Sequence, residues 1–382
     1  VDLVETFRRR RAVEGPVFWL DSDLVVLDPR VAAAVNRANF ADFTLNPSVG
    51  DQLRGRRGAL VDWRDVRAAW LPRIRELTEP EHLRALAERM DRILSSRLDT
   101  PLDLVWLSYE TAVRSLVPLV IADLDAKDNA ILARDLIAKV ATLLDRPAPL
   151  SIVAQARAGA MVRRRIKRRA AGPGRADLLD PIARELLGVL GIGRAVEATT
   201  AMLTAITGPP GSAAASVLFE LSRRPEWQER LGDELAAATD LCTAPQSRAP
   251  VTTRFVKEVL RMWSPPLLLN RRVRTAVSVE GVELRPGQQY VTCPYLVHHD
   301  ETRLPDHATF DPDRWLADPT FDYVPFGWAP TTCLGAGIGI AQLILWCRLL
   351  TTRYRVTTNR PSRMTMLASP TPHDFRGTVT SR

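Results

Sequence analysis

Lysine is almost missing from this chain of 382 residues: it occurs only as Lys127, Lys139, Lys167 and Lys257, so the net charge of +8 rests on arginine. That bias associates with a GC-rich, bacterial genome. Aromatic residues are sparse, at 6%, and none interleave the two basic runs Arg8–Arg11 and Arg163–Arg169. With no groove-reading motif beside those runs, nucleic acid is excluded as an expected partner. The second run reads as the solvated end of a helix stopped by Gly172-Pro173-Gly174. Cysteine occurs as Cys242, Cys293, Cys333 and Cys347 with no CxxC pair. This spacing excludes a zinc ribbon and a disulfide framework and suits a reducing cytoplasm. No uninterrupted apolar run reaches transmembrane length. Val1–Arg11 meets four arginines early instead of a signal-peptide core. A cytoplasmic protein acting away from membranes is the expectation. What remains, 46% apolar and 25% charged, is enough for a sizeable globular core. The surplus positive charge suits an acidic protein partner.

Short extended pieces at Val17–Leu20 and Leu24–Leu27 and a helical stretch Arg30–Ala38 suggest a small sheet near the N-terminus. From Trp63 to Trp263 helical period dominates, with breaks at Pro101, Pro147–Pro149, Gly172–Gly174 and Thr243–Pro250. Strand-like Ala276–Leu284 and Gln289–Cys293 follow, joined by Pro286-Gly287; then come a Pro- and Asp-rich meander over Asp306–Pro325 and a final apolar helix. Repeats, low-complexity tracts and a cleanly separating linker are absent. The pattern predicts one mainly α domain, 1–382, with β-rich portions at about 15–60 and 265–325.

Cys333 lies in Phe326-Gly-Trp-Ala-Pro-Thr-Thr-Cys333-Leu-Gly335, directly ahead of that last helix. A sulfur just before a helix start meets unsatisfied N–H groups and the positive end of the helix dipole, which favour thiolate. A thiolate ligand pushes electron density onto a haem iron and favours O–O cleavage. Gly335 lets backbone pass close to the ligand, and Phe326 can lie against a macrocycle. A buried structural cysteine is the competing reading. Glu258 and Arg261 in Phe255-Val-Lys-Glu-Val-Leu-Arg261 stand at i and i+3 on one helix face. Arg314, in Phe310-Asp-Pro-Asp-Arg-Trp315, can close a buried Glu-Arg-Arg network that pins the meander. None of His82, His298, His299, His307 or His373 shows metal-ligand spacing; His298 and His299 read as meander residues.

These motifs, in this order, resemble the cytochrome P450 family, soluble bacterial class, over essentially the whole chain. The resemblance implies haem b with Cys333 as axial metal ligand. It implies Trp63 and Arg67 in Trp63-Arg-Asp-Val-Arg67 and Arg271 after Pro265-Pro-Leu-Leu-Leu-Asn270 at the haem propionates, with Arg272 as the alternative one register away. Phe326 and Gly335 complete the cofactor contacts. It also implies a small-molecule substrate and a ferredoxin with its reductase.

The chain departs from the family pattern at three places. Ala329 stands where the family has glycine, and Thr331 where it has His or Arg. In the distal helix, the Ala-Gly-x-Asp/Glu-Thr signature falls on Ala205-Ile-Thr-Gly-Pro209, so Gly208 replaces the acid and Pro209 the alcohol that feed protons to dioxygen. Pro209 and Pro210 lack N–H groups and leave the Ala205 and Ile206 carbonyls without helical partners. A kinked or split helix is expected, or else a loop over 208–211 between two helices.

Three mechanisms survive: protons delivered by substrate groups with Thr207, Ser212 or water near Gly208 and Pro209; peroxide in place of dioxygen and electrons; or rearrangement without oxygen activation. Substrate contacts are expected from Phe43–Leu60, Thr204–Ser212, Leu267–Asn270 and Ala368–Pro372, which suits a partly hydrophobic natural product. The expectation is an oxidative tailoring enzyme of secondary metabolism. A haem-thiolate isomerase or lyase and a non-catalytic haem-binding partner protein are the alternatives.

Overall fold

The computed structural model describes residues 3–39, 63–148, 151–273, 275–318 and 321–382. Two helices flank the first hairpin: α1 (Leu3–Glu14) and α2 (Pro29–Ala38). The helical body holds α3 (Trp63–Glu76), α4 (Pro80–Ser95), α5 (Leu104–Val120), α6 (Ala126–Leu143), α7 (Ser151–Ala171), α8 (Leu179–Arg184), α9 (Leu187–Ala205) and α10 (Pro209–Arg223). Next come α11 (Pro225–Ala237), α12 (Pro245–Arg248), α13 (Pro250–Met262), α14 (Pro294–His298) and α15 (Ala336–Arg348). The mainly α class expected from the sequence is the one observed.

Among the described residues, four small sheets accompany the helices. β1 (Val17–Leu20), β2 (Asp23–Val26), β7 (Gln289–Thr292) and β4 (Leu269–Arg272) form one in the order β1-β2-β7-β4, with β2 and β7 parallel. β5 (Val277–Val279) and β6 (Val282–Leu284) make a hairpin. β structure also lies beyond the expected stretches. β8 (Tyr354–Thr358) and β11 (Arg376–Ser381) pair with β3 (Pro101–Asp103), and β9 (Arg363–Met366) pairs with β10 (Pro370–His373). Such strands are three to six residues long, too short to carry a clear period.

α2 shows how local chemistry sets an element. Asp28 caps it, accepting from the Arg30 and Val31 N–H groups, and Pro29 opens it where no N–H is needed. Its buried face, Val31, Ala32, Val35 and Asn36, docks on the β lobe beside Val273, Val282, Tyr290 and Trp328.

α10 is buried along its length from Gly211 to Leu221. Gly211 is required there, because a Cβ would fall 2.5 Å from the Tyr109 ring on α5. The stretch Leu187–Arg223 is long and apolar enough to cross a membrane by length and composition. In this fold it is interrupted at 206–208 and its second half lies inside the protein.

The basic run of α7 departs from expectation. Arg165 and Arg169 are buried. Arg169 pairs with Asp177 at 2.7 Å and Asp123 at 2.9 Å, and Arg165 with Asp128 and Asp125, both at 2.6 Å. Aspartates from the 121–128 and 177–180 segments neutralise these charges, so the run is no simple solvated face.

Candidate active site

The site grows from the C-terminal end of the meander. On α13, Glu258 and Arg261 are fully buried. Arg261 donates Nε and Nη2 to the two Glu258 oxygens at 2.9 and 2.8 Å. Arg314 Nε reaches Glu258 Oε1 at 3.1 Å, so the expected three-residue network forms. Two donors that no spacing announced join it: Trp315 Nε1 at 3.0 Å and the Asp311 backbone N–H at 3.0 Å. Arg261 also donates to the carbonyls of His307 and Thr309, clamping the meander. His298 Nε2 accepts from the Val324 N–H at 2.8 Å, so the proton sits on Nδ1, which faces the Arg261 carbonyl at 3.2 Å. Burial, and then Arg261, hold His298 neutral with its pKa lowered to about 3.

Two residues beyond Val324 the cysteine loop begins. Cys333 N–H donates to the Phe326 carbonyl at 2.9 Å and closes it. Gly327 has φ +76, a left-handed conformation that favours glycine. Of the four cysteines, Cys333 alone is exposed; Cys293 and Cys347 are buried and Cys242 is half-buried. Gly335 precedes α15 and leaves the sulfur clear, since even a Cβ there would stay 3.8 Å from Sγ.

Surrounding protein pushes the thiol pKa up, while the Gly335 N–H and the Arg67 guanidinium pull it down. Burial is the largest of these influences, against the thiolate expected from the helix start. Desolvation by the enclosing protein outweighs the partial charge of a helix N-terminus. A bound metal inverts that balance, because a coordinating thiol is deprotonated outright.

Arg67, on α3, donates Nη2 to the Thr332 carbonyl at 2.9 Å, so the expected propionate cation stands beside the cysteine. Arg271, on β4, is half-buried, and burial lowers its pKa. It lies opposite Tyr290 in the strand register and donates to the Asn270 carbonyl at 2.9 Å. Arg272, its alternative, is exposed. Phe326 is half-buried against α15, with Gly339 packed on its ring. Trp63 opens α3, but its side chain lies outside the described residues, as does the whole of the expected substrate loop Phe43–Leu60.

The helix opposite is split as the prolines predict: α9 ends at Ala205, α10 starts at Pro209, and Ile206–Gly208 lie between them. Pro209 and Pro210 cannot donate, so the Ala205 and Ile206 carbonyls receive no i+4 helical bond. Thr204 and Ala205 are exposed. Thr207 and Ser212 are not: both are 0% exposed. Thr207 Oγ1 donates to the Leu203 carbonyl at 2.7 Å, and Ser212 Oγ to the Pro370 carbonyl at 2.6 Å. Both hydroxyls, expected as helpers in proton delivery, are thus buried and committed to backbone carbonyls. Ser212 also meets Tyr109, whose phenol pKa is raised by burial and eased down by Thr371 and Ser212. Leu267 N–H donates to the Ala368 carbonyl at 3.1 Å, joining two of the expected substrate segments.

A cysteine closing a loop ahead of a helix, a guanidinium beside it and a split apolar helix make a donor set that fits haem b. Comparison with known proteins agrees. Residues 194–373 match the family described as Cytochrome P450. Sterol 26-hydroxylase, mitochondrial, of Homo sapiens is 30% identical over 152 residues, 36% of this chain and 29% of that one. Cyclooctatin synthase of Streptomyces melanosporofaciens is 29% identical over 166 residues, 40% of this chain and 36% of that one. These matches span about a third of each relative. A zebra fish cytochrome P450 solved with progesterone superimposes with a TM-score of 0.82 at 17% identity, covering 100% of both chains. The chain has the fold of solved cytochrome P450 structures, and its residues 194–373 carry the match to that family.

Proposed function

We propose that this protein is an oxidative tailoring enzyme that uses a Cys333-ligated haem on a small, partly hydrophobic natural product. Protons come from the substrate or from water, not from an acid and an alcohol on the distal helix. The observation that carries this reading is the pairing of an exposed, Arg67-flanked Cys333 with a split distal helix bearing Gly208 and Pro209. When bound, the haem supplies oxidising chemistry able to attack unactivated carbon.

The chain's own residues do the rest. Cys333 holds the metal from one side, while Arg67 and Arg271 counter the haem carboxylates. The segments Leu267–Asn270 and Ala368–Pro372, joined through the Leu267 N–H and the Ala368 carbonyl, orient substrate and exclude water. The carbonyls of Ala205 and Ile206 can only accept, so they hold a water or substrate hydroxyl by one hydrogen and leave its oxygen free to relay a proton. Electrons come from a ferredoxin and its reductase.

Turnover of a pathway intermediate with ferredoxin, reductase, NADPH and dioxygen supports this reading. Equal turnover without any electron source would sink it. One second reading has an observation in its favour: with the Thr207 and Ser212 hydroxyls committed to backbone carbonyls, a haem-thiolate isomerase or lyase needs no proton relay. Product formed under strict anaerobiosis distinguishes it.

A further inference from the structure

The cysteine loop is held at a second point that the sequence motifs do not mark. Asn36, on α2, is 7% exposed. It donates Nδ2 to the Trp328 carbonyl at 3.1 Å and to the Ala329 carbonyl at 3.4 Å. Its Oδ1 accepts from Thr331 Oγ1 at 2.8 Å. One side chain therefore engages three groups of the loop, two residues short of the ligand sulfur at its nearest. Trp328 is buried with α2 and the β lobe, while Cys333 caps the helical body through α15 and Arg67. The loop thus bridges two packed layers, and Asn36 fixes its β-lobe side.

A hydrogen-bonded amide engaging both a carbonyl and a hydroxyl allows one orientation only, because Nδ2 must donate and Oδ1 must accept. Loop carbonyls left without Nδ2 would turn toward water, and Thr331 would keep only its longer bond to the Trp328 carbonyl, at 3.3 Å. The Cys333 backbone would then be held from the helical-body side alone, by the Phe326 carbonyl and by Arg67 at the Thr332 carbonyl.

We propose that Asn36, acting through Thr331 and the Trp328 and Ala329 carbonyls, is a positioning residue for the haem ligand, presetting the Cys333 loop before the cofactor arrives. This rests on the haem-thiolate reading above. The group acts on ligation without touching substrate, much as outer-shell partners tune a metal site.

The test uses the full chain loaded with haem and three variants: Asn36→Ala, Thr331→Val and Thr331→Ser. Two readouts are taken: the rate of haem transfer to excess apomyoglobin, and the fraction of the reduced carbon monoxide adduct that carries the thiolate signature. Asn36→Ala and Thr331→Val are expected to lose haem about ten- to a hundred-fold faster, with the adduct shifted from thiolate toward thiol. Thr331→Ser, which keeps the hydroxyl, stays near wild type. Should Asn36→Ala fail to fold, the two Thr331 variants decide. Wild-type haem retention with a full thiolate signature in Asn36→Ala, or identical behaviour of Thr331→Val and Thr331→Ser, overturns the proposal. A wild-type adduct without the thiolate signature would instead remove the haem-thiolate reading itself.

Discussion

Replacing Glu258 by Gln tests the account of how the meander holds the cysteine loop. The carboxylate is fully buried and accepts from Arg261 twice, from Arg314, from Trp315 and from the Asp311 N–H, at 2.8–3.1 Å. Gln keeps the shape but removes the charge and turns one acceptor into a donor. That amide faces guanidinium, indole and amide donors, none of which can accept. Arg261 would be left as a fully buried charge with only neutral acceptors. Removing one partner of a buried ion pair costs about 3–5 kcal/mol, against a total stability of about 5–15 kcal/mol.

At about 2–4 °C per kcal/mol for chains of 150–250 residues, and less for a longer one, a fall in Tm of about 5 °C or more is expected. The damage should reach the ligand, because the same meander continues through His298-bound Val324 into Phe326 and Cys333. The assay is the thermal melt of the haem-loaded protein, with the thiolate signature of the reduced carbon monoxide adduct measured alongside. The exposed Glu229→Gln serves as the surface control. An unchanged melt together with an undiminished thiolate signature in Glu258→Gln would refute the reasoning.

Further outcomes follow from other parts of the molecule. Gly211→Ala should destabilise by about 1–3 kcal/mol, because the new Cβ meets the Tyr109 ring at 2.5 Å and its Cα at 2.9 Å. Gly208→Ala, which meets only the Leu143 side chain at 3.2 Å, should cost much less; paired melts decide. His298 is held neutral in the fold with its pKa lowered from 6.5 to about 3. The unfolded chain therefore binds its proton first, and the stability His298 contributes is full above about pH 6.5 and lost as pH falls toward 3. At pH 5 the loss is about 2 kcal/mol, so a Tm that stays flat between pH 7.5 and 5 would contradict this burial. Asp306 and Asp313, held low by Arg314 and Arg230, add a loss of the same sign at more acid pH. Thr207→Val and Ser212→Ala should leave the product formed per electron consumed within about two-fold of wild type, since neither hydroxyl is accessible. A substrate analogue lacking its hydroxyl or carboxylate should uncouple consumption from product. Large uncoupling by either variant would restore a proton role to that residue.

Local chemistry is what the sequence determined by itself. Prolines at 209 and 210 abolish two helical hydrogen bonds whatever surrounds them, so the split of the distal helix was readable. Glu258 and Arg261 share a helix face by spacing alone, and Cys333 precedes an apolar helix by position. Tertiary structure decided everything that depends on partners distant in the chain. Asn36 meets Thr331 across 295 residues, and Ser212 meets Pro370 across 158. Arg169 meets its aspartates only where the 121–128 and 177–180 segments fold against α7, which is why a basic run that reads as surface lies partly inside. Which way a hydroxyl points, and whether burial or a helix dipole governs a thiol, follows from the packing around it. Backbone covalent constraints are local and travel with the sequence; desolvation and hydrogen-bond partnership are properties of the assembled interior.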